Sequence, residues 1–169
     1  MVPCMYVYFT VSVFWNFQYG LYHVLVMRIR WLCMVFYGFA DGACFHTLNL
    51  ASVAWVLYSL AHDLVSSGAV CIGSATSNIA EYQEVIGLLT EATSWDIHDL
   101  VVFMDSHLVV CHLNHVYTIM NPTLLCLFRR VHLLERSFNF ITYRHIPRSD
   151  NTIVDSLENY ILYWYTTHS

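Results

Sequence analysis

The sequence contains no lysine, and all seven of its basic residues are arginines. Only 11% of its 169 residues are charged, against about 25% in an average soluble domain, and the net charge is −5. A protein that binds nucleic acid mainly by releasing counterions needs clustered positive charge. The composition therefore argues against a strongly basic, non-specific nucleic-acid binder. It leaves open an enzyme that meets nucleic acid through metal ions.

The sequence also lacks the usual zinc-binding patterns. Its six cysteines form no Cys-x-x-Cys pair, and its ten histidines form no His-x-x-x-His or His-Glu-x-x-His pattern. We interpret the cysteines as apolar, reduced side chains. That interpretation favours a cytoplasmic or nuclear location, although the sequence does not specify one.

The first 27 residues carry no formal charge, and Arg28 and Arg30 follow them. This stretch is long enough to span a bilayer, but polar residues interrupt it. It lacks a charged start and a clear cleavage site, so no signal peptide is predicted. We predict an apolar extension at residues 1–30 and a folded domain at residues 31–165. A membrane anchor at residues 1–27 stays an alternative, and the arginines would then favour a cytoplasmic domain.

Hydrophobic periodicity predicts the order β-β-β-α-β-α-α-β-α. Three strands followed by alternating helices and strands indicate an α/β fold, with a mixed five-stranded sheet flanked by helices. The predicted strands are 33–40, 52–59, 64–72, 99–104 and 138–145, and the predicted helices are 78–93, 106–116, 123–137 and 151–164.

Four of the twelve acidic residues fall at the ends of predicted elements. Asp41 ends the first strand and Asp105 ends the fourth, whereas Glu81 and Asp155 lie in the first turns of helices. Carboxylates at the ends of adjacent buried strands repel each other, and a divalent cation removes that cost. Oxygen ligands suit magnesium or manganese. The pattern therefore favours a shared metal site.

Each of these acidic residues also has a simpler interpretation. Asp41-Gly42 is a common turn, and Glu81 is three residues after Asn78, as in a capping box. Asp105 is suited to cap the following helix, and Asp155 is suited to the positive end of the last helix. Taken singly, each simpler interpretation is preferable. Taken together, in this order on these elements, the four residues favour the metal site.

The segments that carry these residues resemble the successive motifs of ribonuclease H. The resemblance covers about 130 residues, and the ordered set is more specific than any single motif. The segment around Glu81 and the segments from His145 to Asp155 are most similar to the reverse-transcriptase-associated branch found in plant retroelements. The segments are Phe39-Ala40-Asp41-Gly42-Ala43-Cys44, residues 75–82, Phe103-Met104-Asp105-Ser106, His145-Ile146-Pro147-Arg148 and residues 151–157.

The resemblance implies an endonuclease that hydrolyses the RNA strand of RNA–DNA hybrids. It implies two Mg²⁺ ions, with Mn²⁺ as an alternative, and no small-molecule cofactor. It assigns metal binding and catalysis to Asp41, Glu81, Asp105 and Asp155, and proton transfer to His145. The substrate contacts that it implies are Gly42, Ala43, Thr76, Ser77, Asn78, Ser106 and Arg148.

The sequence departs from the family pattern around the substrate rather than at the carboxylates. The loop at Phe45–Leu50 lacks the usual glycines, His107 stands where glutamine is usual, and Val154 replaces alanine. Without lysines, affinity from counterion release should be weak. The alternative function is therefore a catalytically weak or inactive, retroelement-derived nucleic-acid-binding domain.

Overall fold

A computed structural model of the chain describes residues 34–45 and 50–152, and the side chains of residues 43–45 are outside that description. All but the first of these residues belong to one unit, Val35–Ser169. The strands are β1 (Phe36–Phe45), β2 (Leu50–Tyr58), β3 (Leu64–Gly73), β4 (Asp99–Met104) and β5 (Phe140–His145). The helices are α1 (Ser77–Ser94), α2 (His107–Leu113) and α3 (Pro122–Glu135), and a short 3₁₀ turn spans Arg148–Asp150.

The five strands form one mixed sheet in the order β3-β2-β1-β4-β5. β1, β2 and β3 pair antiparallel, as consecutive hairpin strands do. β4 pairs parallel with β1 on one side and with β5 on the other, because helices connect these strands. The predicted fold class is confirmed, with a central strand, β1, that belongs to both halves of the sheet.

Helix α1 packs against β1 and β2 and also against α3. Thr76 caps its start by accepting a hydrogen bond from the Ile79 N–H. Glycines bring the helix close to the sheet: a Cβ on Gly38 would lie 2.8 Å from a Leu88 methyl group, and one on Gly87 would lie 2.4 Å from the Trp55 indole. The position of α1 on the sheet is therefore set by close contact.

The first strand does not end near Asp41 as predicted. β1 continues to Phe45 because its backbone pairs with β2, with Asp41 opposite Ala54 and Gly42 opposite Val53. The turn interpretation of Asp41-Gly42 was therefore wrong. The local turn signal is overridden by hairpin pairing.

The predicted helix at 106–116 is shorter, and α2 ends at Leu113. His115 adopts a left-handed conformation with φ of 58°, and the Val116 N–H bonds back to the Cys111 carbonyl at 2.8 Å. This is a Schellman-type helix end with histidine in place of the usual glycine. No helix in the described ranges is long and apolar enough to cross a membrane. The predicted extension at 1–30, and the last helix beyond Thr152, lie outside the described residues.

Candidate active site

Asp41 and Asp105 occupy neighbouring positions on two parallel strands. The pairing of β1 with β4 runs as far as Ala40 opposite Met104, so the two aspartates take the next position on each strand. Two residues earlier, the rings of Phe39 and Phe103 stack with centroids 5.0 Å apart. Because side chains alternate along a strand, Asp41 lies on the same face of β1 as Phe39, whereas Asp105 comes directly after the end of β4. Asp41 is buried, with 1% of its surface exposed.

Glu81 reaches this edge of the sheet from the first turns of α1. Gly42 makes the approach possible, because a Cβ there would lie 2.9 Å from the Ala80 carbonyl carbon and 3.1 Å from the Glu81 nitrogen. The Ser106 hydroxyl, two residues after the end of β4, donates a hydrogen bond of 2.7 Å to Glu81 Oε2. The start of α1 and the end of β4 are thus joined by side chains that are 25 residues apart in sequence.

The surroundings of Glu81 disfavour its ionised form. Burial raises the pKa of Glu81 above its ordinary value, the Ser106 hydrogen bond opposes that shift, and the charge of Asp105 adds to it. The repulsion shows that Glu81 and Asp105 share one electrostatic environment. A cation at this edge would offset both the burial and the repulsion.

The capping interpretations of Glu81 and Asp105 are wrong. Thr76 caps α1, and Ser106 caps α2 by accepting from the Val109 N–H at 3.4 Å. Glu81 bonds to Ser106.

Two basic side chains lie beside Asp105. His145, the last residue of β5, donates from Nε2 to the Asp105 carbonyl at 3.2 Å. Arg148 places its Nε 4.0 Å from Asp105 Oδ2, and both basic side chains are exposed. The rings of His107 and His145 also lie edge to face, with centroids 5.3 Å apart. The residue that departs from the family pattern at position 107 therefore touches the predicted catalytic histidine.

The residues that the sequence assigned to substrate have different surroundings. Thr76 and Ser77 are exposed at the start of α1, and Asn78 is partly buried. Gly42 faces α1, and Ser106 is 7% exposed. The side chain of Ala43 lies outside the description. Their roles as substrate contacts stay predictions.

The structure brings together only part of the predicted metal site. Asp155 lies outside the described residues, so its position relative to the other three carboxylates is untested. Within residues 34–45 and 50–152, no three histidine, cysteine, aspartate or glutamate side chains are arranged closely enough to hold an ion together. The donors at the edge are oxygens, and their mutual repulsion is what a hard divalent ion would relieve. The donor chemistry thus fits magnesium or manganese, whereas the full ligand set is not described.

Two buried polar residues near the site were given no role by sequence reasoning, although Asn151 begins one of the resembling segments. Glu84 is fully buried, and its Oε2 would lie 2.7 Å from a Cβ on Gly42. Its position one turn after Glu81, on the apolar face of α1, was a signal that could have been noticed. Asn151 is 1% exposed and donates from Nδ2 to the Ala40 carbonyl at 2.9 Å. That contact links positions 111 residues apart, and no local pattern announces it.

Comparisons with known proteins point to one family. A family model described as reverse transcriptase-like matches residues 39–160. The bifunctional protein Rv2228c of Mycobacterium tuberculosis is 33% identical over 121 residues, which are 71% of this chain and 33% of that protein. Ribonuclease HI of Halobacterium salinarum is 32% identical over 123 residues, which are 73% of this chain and 62% of that protein. The chain therefore spans about a third of the mycobacterial relative and less than two thirds of the halobacterial one.

Solved structures agree with these sequence relatives. RNase H1 from Halobacterium salinarum matches with a TM-score of 0.73 and 32% identity, over 76% of this chain and 97% of that one. The N-terminal RNase H domain of the mycobacterial protein matches with a TM-score of 0.75 and 29% identity, over 80% of this chain and 98% of that one. LC11-RNase H1, solved in complex with an RNA/DNA hybrid, matches with a TM-score of 0.69 and 26% identity, over 73% and 94%.

Proposed function

The chain belongs to the ribonuclease H family, and from this premise we propose that it is a metal-dependent endonuclease that hydrolyses the RNA strand of RNA–DNA hybrids. The observation that carries the proposal is the link from Glu81 to the segment after β4 through Ser106, next to Asp105, with Asp41 at the adjoining position of β1. Asp41 and Asp105 follow the last paired residues of two parallel strands, and Glu81 is joined to the end of β4 through Ser106. A relative solved with an RNA/DNA hybrid supports this substrate class.

Asp41, Glu81, Asp105 and, by the family resemblance, Asp155 would hold the divalent ions. We propose Mg²⁺, with Mn²⁺ as a substitute, and two ions in the active complex. When bound, such ions lower the pKa of the attacking water and stabilise the leaving 3′ oxygen. The chain contributes the orientation of the carboxylates: β1 and β4 fix the aspartates, and Ser106 fixes one oxygen of Glu81.

The groups around the carboxylates have separate proposed roles. His145 is exposed and lies against the Asp105 carbonyl, so it can move a proton at the leaving oxygen without being buried among the carboxylates. Arg148 is exposed and can pair with a phosphate. By the family resemblance, Thr76, Ser77 and Asn78 would contact the minor groove, where 2′-hydroxyls distinguish RNA from DNA.

A catalytically weak or inactive nucleic-acid-binding domain is the second candidate. The absence of lysine and the glycine-free segment at Phe45–Leu50 favour it, since both lower the expected affinity for an RNA–DNA hybrid. We also propose an origin in a plant retroelement, supported by the likeness of the Ala80-Glu81-Tyr82 and His145–Arg148 segments to that branch. A cytoplasmic or nuclear site of action accompanies this proposal.

A cleavage assay on the full chain separates these candidates. An RNA–DNA hybrid labelled on each strand is incubated with Mg²⁺ or Mn²⁺, beside double-stranded DNA and double-stranded RNA of the same sequence. We expect cleavage of the RNA strand of the hybrid alone. Asp105→Asn should lower the rate by at least about 100-fold, because it removes a charged ligand at the centre of the site.

Asp99→Asn is the matched control, since Asp99 begins the same strand that Asp105 follows. It should cleave at the parent's rate, because it lies at the opposite end of β4. If the parent binds the hybrid but does not cleave it in either metal, the second candidate replaces the first. Equal losses of cleavage rate in the two variants would mean that the substitutions act by disrupting the fold.

A further inference from the structure

The Ser106 hydroxyl is shared between a helix end and a carboxylate. It accepts a hydrogen bond from the Val109 N–H at 3.4 Å, which caps α2, and it donates one of 2.7 Å to Glu81 Oε2. A serine hydroxyl has a single proton, so a Ser106 that bonds to Glu81 has none to give to a phosphate. Only 7% of the Ser106 surface is exposed, so solvent competes little for this bond.

The bond restricts rotation of the Glu81 side chain. Glutamate has three rotatable side-chain bonds, and ordering them costs conformational entropy. Glu81 comes from α1, whereas Ser106 follows β4, so this hydrogen bond joins side chains from two different elements at the site. It engages Oε2 and leaves the Oε1 oxygen available to another partner.

We propose that Ser106 is a positioning residue that orients the Glu81 carboxylate for the divalent ion, rather than a contact for the substrate. This inference rests on the proposed metal-dependent function. Partners of metal-binding side chains typically change metal affinity or activity by about 10- to 100-fold when they are removed. Loss of the Ser106 hydroxyl should therefore raise the metal requirement and leave the Michaelis constant for the hybrid nearly unchanged at saturating metal.

The experiment compares Ser106→Ala, Ser106→Gly and Ser106→Thr in the full chain. Binding of Mn²⁺ without substrate is measured by calorimetry, and cleavage is measured across a magnesium titration. We expect Ser106→Ala to weaken Mn²⁺ binding, and to raise the half-maximal magnesium concentration, by about tenfold or more. Ser106→Thr retains both hydrogen bonds and should restore the parent's values.

Ser106→Gly covers the case in which the alanine variant fails to fold, because glycine at a helix cap costs little stability. It also lacks the hydroxyl and should show the same metal defect. Asn121→Ala is the matched control for cap loss: Asn121 caps α3 by accepting from the Thr123 and Leu124 N–H groups. Asn121→Ala should lower the melting temperature as Ser106→Ala does, with unchanged metal dependence.

The outcomes separate the inference from the proposed function. An unchanged metal dependence in Ser106→Ala and Ser106→Gly, with a raised Michaelis constant for the hybrid, would overturn the inference and make Ser106 a substrate contact. A metal defect that appears equally in Asn121→Ala would also overturn it, as a general effect of instability. If the parent binds Mn²⁺ but does not cleave, weaker binding in Ser106→Ala still supports the inference, although the proposed function has failed.

Discussion

Substitution of Gly42 tests whether close packing of α1 against β1 fixes the position of Glu81. Substituting alanine would place a Cβ 2.9 Å from the Ala80 carbonyl carbon and 3.1 Å from the Glu81 nitrogen. Ordinary contacts begin at 3.4 Å, and these neighbours are backbone atoms that cannot rotate away. The start of α1 would have to retreat from β1 by about half an ångström. That movement would carry Glu81 away from Asp41 and Asp105.

The expected cost follows from the size of this displacement. Overpacking of a well-packed interface costs about 1–3 kcal/mol. In a chain of this length each kcal/mol lowers the melting temperature by about 2–4 °C. Catalytic groups need placement within about 0.5 Å, and an error of 1 Å can cost about 100-fold. We therefore expect Gly42→Ala to lower kcat/KM for the hybrid by about tenfold at saturating magnesium.

Gly38→Ala is the matched control, on the same strand and facing the same helix. Its Cβ would lie 2.8 Å from the Leu88 Cδ2 atom, the end of a flexible side chain two turns further along α1. We expect Gly38→Ala to lose stability while retaining cleavage per folded molecule. Melting temperatures and cleavage rates are measured below the transition of both variants. If Gly42→Ala cleaves as well as Gly38→Ala there, close packing at Gly42 does not set the geometry of Glu81.

Two further predictions concern buried titratable groups. Without metal, stability should fall as pH rises from about 4.5 through the raised pKa of Glu81, because the folded state holds that proton more tightly than the unfolded chain. Urea unfolding in EDTA should show this slope in the parent but a flatter profile in Glu81→Gln, and identical profiles would contradict the assigned environment. Tyr82→Phe removes a buried 3.0 Å hydrogen bond to His112 Nδ1 and should cost about 1–3 kcal/mol in urea unfolding. A loss of hybrid cleavage larger than the loss of folded protein would show that this pair also acts on catalysis.

The sequence was sufficient for the number and type of the described elements, because each has a strong period and a clear break. The apolar run at Asp99–Met104, between two helical segments, predicted a parallel central strand, which is what β4 is. The end of the first strand was wrong because Asp41-Gly42 is a turn only by local preference. In the structure, nine positions of β1 pair with β2, and this tertiary pairing extends the strand to Phe45.

The candidate site, like the fold, could be predicted only in part from the sequence. Carboxylates at Asp41, Glu81 and Asp105 could be proposed from their places near the ends of predicted elements, although β1 in fact continues past Asp41, and the resemblance supplied their order. The Ser106–Glu81 bond could not be predicted, because the two residues are 25 positions apart and no local pattern pairs them. Asn151 was equally hidden, since its carbonyl partner on Ala40 is a backbone atom that carries no sequence signal. Local patterns therefore locate candidate ligands, whereas the contacts that orient them depend on the packed structure.

The charge distribution of the chain suggests that, in the proposed function, the metal ions also assist substrate binding. The edge that holds Asp41, Glu81 and Asp105 is negative, and a hybrid's backbone is negative as well. The chain has no lysine, and among the described residues the arginine that pairs with this edge is Arg148, 4.0 Å from Asp105. One arginine cannot offset three carboxylates, so the approach of a phosphate to this edge is unfavourable until cations are bound. In this chain the ions would therefore be needed to admit the scissile phosphate as well as to promote its hydrolysis, and hybrid binding near the site should depend on metal more strongly than in a lysine-rich relative.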